Sequence, residues 1–234
     1  MTTTVCNAIS ATKANRLYWL GRYAERVYLS LHLLRKSYDT MIDGAGQGYL
    51  DYYKRLDASS VYPDKLSFML GYMYDEKNPN SLLAGMERAN DNAIVLREEI
   101  MSETLSYIQL SLVKIKAAAA EGVTNITDLQ NITDYLLAFW GSADERIYDD
   151  GVRDLLRVGK LVENMDMHVR FDYPFYRIAE TYESLKKCAD DFDGILDPVI
   201  LEQLDRLLDE DCYQSEDTEY KFKLLKYVNH LVLL

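Results

Sequence analysis

The sequence predicts an all-α fold, a bundle of about six to seven helices that forms one domain over residues 1–234. Three observations predict it. The 11 glycines and 4 prolines make up about 6% of the chain, half the usual share of about 12%, so few residues interrupt helices. Apolar residues recur at alternating steps of three and four, the spacing of a helix that buries one face. No segment shows the apolar–polar alternation of a half-buried strand.

The first predicted helix runs from about Lys13 to Ile42. Thr12 can cap its N-terminus, and the glycine-rich segment 44–48 can end it. Its apolar seam is sustained over more than three heptads and consists of Leu17, Leu20, Ala24, Val27, Leu31, Leu34, Tyr38 and Met41. Because Trp19, Leu29 and Leu33 lie off this seam, the helix carries a second apolar face. We therefore expect it to be the central helix.

Caps and helix breakers place the later helices. Ser81 is a natural N-cap after the breaker Asn78-Pro79-Asn80. Pro174 and Pro198 each begin a helix, because proline is tolerated in a first turn. After short helices within 48–77, the predicted helices cover 81–120, 124 or 127 to 140, 142–171, 174–194, 197 onwards, and 215 to the C-terminus.

An internal repeat relates the first predicted helix to the one over 142–171. Both contain the pattern Leu-x-x-apolar-Gly-basic-x-x-Glu, and its alignment places Gly21 on Gly159, Arg22 on Lys160 and Glu25 on Glu163. A glycine inside a helix costs about 1 kcal/mol relative to alanine, so we expect both glycines to permit a close approach of helices. The alternative is a chance agreement between two heptad helices.

Composition excludes several functional classes. The net charge of −12 argues against nucleic-acid binding, which requires a basic face. The chain has three cysteines, Cys6, Cys188 and Cys212, and no CxxC pair. We therefore expect neither a disulfide framework nor a zinc site. The same pattern predicts a location in the reducing cytoplasm. No signal peptide is recognisable, and no uncharged run approaches the roughly 20 residues that cross a bilayer. No membrane association is therefore predicted.

No cofactor and no catalytic residue is predicted. The chain has no GxGxxG or GxxxxGK[ST] loop for a nucleotide. None of its three histidines has a glutamate three residues before it, as a di-metal carboxylate bundle would require. Cys188 and Cys212 have no histidine nearby in the sequence that could activate them.

A charge network is the main candidate site. Arg22, Glu25 and Arg26 share one face of the first helix because of their spacing, and Glu25 and Glu163 could face each other across the core. The candidate network consists of Arg22, Glu25, Arg26, Glu163, Arg97 and Glu98. It can be functional, holding a metal, an amine or a peptide terminus, or it can be an interhelical ion network that fixes helix register.

Four stretches resemble a known family. They are Arg16-Leu-Tyr-Trp-Leu-Gly-Arg-Tyr-Ala-Glu-Arg26, the segment 75–82, the acidic segment 89–103, and 140–163. Together and in this order they resemble the alpha-E family, a mostly bacterial, all-helical domain named for a Glu-Arg pair and of unknown function. The matching positions are Trp19, Gly21, Asp75, Asn78, Pro79, Ser81, Asn92, Glu103 and Gly159. The second Glu-Arg pair departs from the family and reads Glu163-Asn164.

The resemblance implies a functional context. Genes of this family tend to neighbour, or fuse with, ATP-grasp peptide ligases and transglutaminase-like cysteine proteases. It therefore implies a non-catalytic accessory or scaffold protein for such a system, with a peptide as a further candidate partner. One alternative is an enzyme or ligand-binding bundle with a Glu/Arg site between the repeated helices. Another is a structural homo-oligomer, suggested by the apolar C-terminus His-Leu-Val-Leu-Leu.

Overall fold

The computed structural model describes residues 9–43, 48–56, 62–211, 213 and 217–234. Within these ranges the chain forms eleven α-helices and one 3-10 turn, and the described part contains no strand. The helices are α1 (Ala11–Asp43), α2 (Gly48–Arg55), α3 (Lys65–Tyr74), α4 (Leu82–Val95), α5 (Arg97–Ile100), α6 (Ser102–Glu121), α7 (Gln130–Arg146), α8 (Asp150–Arg170), α9 (Phe175–Ala189), α10 (Pro198–Leu207) and α11 (Thr218–His230). The all-α prediction is confirmed, but the predicted count of six to seven helices is too low.

Helix α1 lies at the centre of the fold, as its two apolar faces predict. It packs against α8, α4 and α7. Leu17, Leu20, Ala24 and Val27 of the seam are fully buried. Of the off-seam residues, Leu29 and Leu33 are buried as well, whereas Trp19 is 36% exposed. The predicted seam side chains of Tyr38 and Met41, and the terminating segment 44–47, lie outside the described residues.

The prediction of one continuous helix over 81–120 is wrong, because this segment forms three helices, α4, α5 and α6. Ser81 caps α4 as predicted, accepting a hydrogen bond from the Ala84 amide at 3.1 Å. The backbone turns at Met101, whose φ is +69°, and α6 then contacts both α4 and α7. No glycine or proline marks this break. Leu96, just before the short α5, and Ile100, its last residue, are both fully buried, so tertiary packing imposes a backbone angle that is uncommon for methionine.

The boundary predicted at residues 140–142 is also wrong. Helix α7 continues through Gly141 to Arg146, and α8 begins only at Asp150. The side chain of Asp149 provides the start signal, because it accepts a hydrogen bond from the Val152 amide at 3.1 Å. Gly141 is therefore an ordinary helical residue with open space where a side chain would lie.

The C-terminal segment packs against its own chain. Helix α11 contacts α8 and α10, and Asp217 caps it. After α11, the Leu231 side chain is fully buried, and the Leu233 amide donates to the Ile195 carbonyl at 2.8 Å. The apolar C-terminus that suggested an oligomer thus has intramolecular partners. In the described part of the chain, no helix is long and apolar enough to span a bilayer.

Candidate functional site

Helices α1 and α8 cross at two glycines in direct contact with the opposite backbone. A Cβ atom added to Gly21 would lie 2.2 Å from the Leu156 carbonyl oxygen, and one added to Gly159 would lie 2.0 Å from the Tyr18 carbonyl oxygen. Both distances are shorter than any van der Waals contact. The crossing is possible only because neither residue has a side chain. It confirms the close approach that was expected from two costly glycines inside helices.

The contacts on either side of this crossing are reciprocal. The glutamate of each helix contacts polar residues of the other helix, and these residues lie just after that helix's glycine in the sequence. Glu163 of α8 binds Arg22 and Arg26 of α1. Glu25 of α1 accepts a hydrogen bond from Asn164 of α8 at 3.0 Å and is within electrostatic reach of Lys160. Each carboxylate therefore has its partners on the opposite helix, and Glu163 is close enough to Glu25 to raise the pKa of the Glu25 carboxyl.

On the Glu163 side lies a buried cluster of charges, here called the arginine cluster (Arg22, Arg26, Glu163, Asp166 and Arg170). Nε of Arg22 donates to Glu163 Oε2 at 2.8 Å, and Nε of Arg26 forms an ion pair with Glu163 Oε1. NH2 of Arg26 donates to Asp166 Oδ2 at 3.1 Å, and Nε of Arg170 donates to the same atom at 2.6 Å. Three guanidinium groups thus surround two carboxylates, and the cluster carries one excess positive charge.

Asp166 shows how strongly these arginines act. Its side chain is fully buried, and burial alone would raise the pKa of this carboxyl. Arg26 and Arg170 outweigh burial and hold the pKa of Asp166 well below its usual range. Asn229 of α11 joins the cluster, because its amide donates to Asp166 Oδ1 at 2.7 Å while its oxygen accepts from Arg22 NH2 at 2.9 Å.

The Glu25 side has fewer positive charges. Burial raises the pKa of Glu25 to about 7, although Lys160 and Asn164 lower it. The indole N–H of Trp140 also lowers this pKa, but to a lesser extent. Neither that N–H nor Glu25 Oε2 completes a hydrogen bond within the described part of the chain. A neutral amide, Asn164, stands where the other half of the repeat has Arg26, which accounts for the difference between the two sides.

The other two candidate residues lie outside this network. Arg97 and Glu98 are exposed on the short helix α5, and Nε of Arg97 donates to Ser102 Oγ at 3.1 Å. The structure therefore does not bring them together with Arg22, Glu25, Arg26 and Glu163.

Several members of the site were not assigned from the sequence. Asp166 and Arg170 follow Glu163 at helical spacing, so the pattern of α8 alone could have indicated them. Asn229 and Arg88 come from α11 and α4, and no local pattern links those helices to the repeat.

A pocket of about 200 Å³ opens beside the arginine cluster, between α1, α4, α8 and α11. Its buried end is formed by Arg22 and Glu163, and Arg26 is partly exposed in it. The remaining lining residues are Trp19, Tyr23, Leu56, Tyr72, Pro79, Asn80, Ser81, Gly85, Arg88 and Asn229. We call it the α1–α4 pocket.

The family-motif positions divide between this pocket and local turns. Trp19, Pro79 and Ser81 line the pocket, whereas Gly21 and Gly159 form the crossing described above. The others support the chain locally or at a helix contact. Asn78 accepts a hydrogen bond from the Asn80 amide at 3.0 Å, and Asp75 accepts one from the Lys77 amide at 2.9 Å.

Two further motif positions lie on α4 and α6. Asn92 links α4 to α1, because its side-chain oxygen accepts a hydrogen bond from Arg16 NH1 at 3.1 Å. Glu103 is exposed in the first turn of α6, where a carboxylate interacts favourably with the helix dipole. In the described part of the chain, no group of three or more His, Cys, Asp or Glu residues is arranged to hold a metal ion.

Comparison with known proteins agrees with the resemblance. A family model, Alpha-E, described as a predicted alpha-helical domain with a conserved ER (Glu-Arg) motif, matches residues 10–202. No curated protein and no solved structure matches the chain. The matched region contains both α1 and α8 and leaves out α11, which supplies Asn229 to the pocket. Since the model covers most of the 234 residues, the chain belongs to the Alpha-E family.

Proposed function

We propose that this chain is a non-catalytic accessory or scaffold protein for an ATP-grasp peptide ligase, or for a related transglutaminase-like peptide-processing system. The class of partner comes from the family resemblance. A cytoplasmic location, predicted from the cysteine pattern, suits a partner that consumes ATP.

One observation supports the non-catalytic part of the proposal: Glu163, the carboxylate of the α1–α4 pocket, is ion-paired with two arginines. A general base needs a carboxylate that is free to accept a proton from the substrate. Glu163 is instead ion-paired with two arginines: its Oε2 accepts a hydrogen bond from Arg22, whereas its Oε1 lies beside Arg26 without completing a hydrogen bond in the described part of the chain. The Ser81 hydroxyl oxygen caps α4 by accepting a hydrogen bond from the Ala84 amide. The described lining of the pocket includes no cysteine or histidine.

The role proposed for the Glu-Arg motif is therefore structural. Arg22 and Arg26 on α1 hold Glu163 on α8 across the glycine crossing, and this contact fixes how the two long helices pack. A buried network of this kind specifies one helix register, because any other register would leave charges unpaired in the core.

Co-purification tests the proposed partnership. The protein would be co-expressed with an ATP-grasp peptide ligase of the kind whose genes tend to neighbour those of the family, and the pair would be analysed by affinity purification and by the rate of ATP-dependent peptide ligation. We expect a stable complex and faster ligation than with the ligase alone. A protein that neither binds the ligase nor changes its rate would contradict the proposal.

A second candidate function, small-ligand binding, is favoured by the pocket itself. The sequence-based version of this idea placed the site between Glu25 and Glu163. Of these two residues, only Glu163 lines the α1–α4 pocket, so the site would lie on the arginine side of the crossing. The homo-oligomer alternative is weakened by the intramolecular contacts of Leu231 and Leu233.

A further inference from the structure

We propose that the α1–α4 pocket binds a small ligand through an anionic group, a carboxylate or a phosphate. This inference does not depend on the ligase partner proposed above. It depends on the charge of the pocket, on the donors that remain available there and on the helix end that faces it.

The charge of the pocket is opposite to that of the protein as a whole. Three arginines, Arg22, Arg26 and Arg88, line it, and Glu163 is the one carboxylate among its described lining residues. The neighbouring Asp166 is balanced by its own partner, Arg170. A local excess of positive charge in a chain of net charge −12 indicates a site for an anion, because field lines concentrate in a pocket with low-dielectric walls.

Two of the arginines retain donors that their protein contacts do not use. Arg26 forms an ion pair with Glu163 through Nε and donates to Asp166 through NH2, so within the described part of the chain its NH1 remains available, and the side chain is 31% exposed. Arg88 donates from NH1 to the Pro79 carbonyl at 2.6 Å, so its Nε and NH2 remain. Guanidinium groups bind carboxylates and phosphates with paired hydrogen bonds. The two side chains therefore supply donors from the buried end and from the α4 side of the pocket.

The N-terminus of α4 adds a third contribution. Pro79, Asn80, Ser81 and Gly85, which surround the first turn of this 14-residue helix, all line the pocket. The positive end of the helix dipole and the unpaired amides of a first turn favour an anion. The arginines provide an independent reason to place the same charge at this point.

The dimensions and walls of the pocket limit the ligand. The volume of about 200 Å³ is below the roughly 300–1,000 Å³ of pockets that hold drug-sized ligands. The Trp19 and Tyr23 rings stack with centroids 5.3 Å apart and line the same space. The site thus suits a compact anionic group attached to an apolar or planar moiety.

Isothermal titration calorimetry at low ionic strength tests this proposal with two probes, inorganic phosphate and malonate, because exposed electrostatic contacts weaken with salt. Saturable binding of either probe by the wild-type protein is expected, and the tighter probe identifies the anionic group. Arg88→Gln should weaken that binding at least tenfold. The matched control is Arg206→Gln, since Arg206 is an exposed arginine on α10 paired with Glu202 and lies outside the pocket; it should leave binding unchanged.

A second variant keeps the test decisive if Arg88→Gln does not fold. Asn80 is exposed at the rim of the pocket, so Asn80→Asp adds a negative charge there without disturbing the core, and it should also weaken binding. Absence of saturable binding of both probes up to tens of millimolar would overturn the proposal. So would binding that Arg206→Gln weakens as much as the pocket variants do.

Discussion

At the scale of single residues, two glutamates at matching positions of a repeated pattern have different environments. Glu163 is held by two arginines, whereas Glu25 has the neutral donor Asn164 and the more distant Lys160. Both are almost completely buried. The difference in charge compensation, and not a difference in burial, explains why burial can raise the pKa of Glu25 to about 7.

Glu25 should make the protein less stable as the pH rises. The pKa of its carboxyl is raised from 4.5 to about 7 on folding, so the folded chain binds the proton more tightly than the unfolded chain does. The protonated Glu25 carboxyl contributes about 3 kcal/mol to the free energy of unfolding. This contribution is complete below about pH 4.5 and is lost as the pH rises to about 7. Glu25→Gln mimics the protonated acid. In urea denaturation, it should therefore match the wild type near pH 4.5 and exceed its stability at pH 8.

Asn164→Arg provides the complementary variant. It places a guanidinium where the other half of the repeat has Arg26, so it should lower the pKa of Glu25 and reduce the loss of stability between about pH 4.5 and 7. Identical pH dependence in the wild type, Glu25→Gln and Asn164→Arg would show that Glu25 does not titrate in this range.

At the scale of helices, the glycine crossing of α1 and α8 is the feature that the sequence predicted best. A costly residue inside each of two heptad helices indicated a close approach, and the backbone contacts of Gly21 and Gly159 confirm it. The seam of α1 was predictable for a similar reason, because apolar residues that alternate at steps of three and four over several heptads line one face of a helix and of no other regular element.

The errors at this scale have physical causes too. The break at Met101 has no glycine or proline, so local propensity gave no sign of it. Gly141 looked like a boundary but lies within α7. Whether Glu25 faces Glu163 depends on how each helix is rotated about its axis, and a repeat pattern does not determine that rotation. Asn229 reaches the cluster only through the packing of α11 against α8.

The crossing predicts opposite effects for the same substitution at different glycines. Gly159→Ala would place a methyl group 2.0 Å from a backbone oxygen, so α1 and α8 must separate, at a cost of about 3 kcal/mol. Gly141→Ala is the matched control: it is a helix-interior glycine with nothing within 4 Å, and alanine there should stabilise the protein by about 0.5–1 kcal/mol. Thermal and urea denaturation of the two variants measure this difference. Equal effects would mean that the helices do not touch at Gly159.

At the scale of the whole molecule, the segment beyond the family match completes the fold. Helix α11 packs on α8, and the following residues bond to the loop before α10, where the Asp197 amide donates to the Leu231 carbonyl at 2.8 Å. The C-terminus therefore contributes to the same core as the repeated helices. Its apolar composition indicated burial, but the sequence did not show whether that burial was within one chain or between chains.

Truncation of the C-terminus distinguishes burial within one chain from burial between chains. Removing residues 230–234 exposes the site of the buried Leu231 and should lower the free energy of unfolding by about 2–3 kcal/mol, with no change of elution volume in size-exclusion chromatography. Removing only the exposed Leu234 should have little effect. A shift from a larger species to a monomer after truncation would instead favour the oligomer interpretation.

The central claim is that Arg22 on α1 and Glu163, the glutamate of the second Glu-Arg position on α8, form a buried ion pair that joins the two helices. A double-mutant cycle with Arg22→Met and Glu163→Gln, read by urea denaturation, tests it most directly. Each single variant should cost about 3–5 kcal/mol, because it leaves a buried charge without its main partner. The double variant should cost about 2 kcal/mol less than their sum, since neither charge then remains unpaired. Costs that add to within about 0.5 kcal/mol would contradict the claim that these two residues stabilise the crossing as a pair.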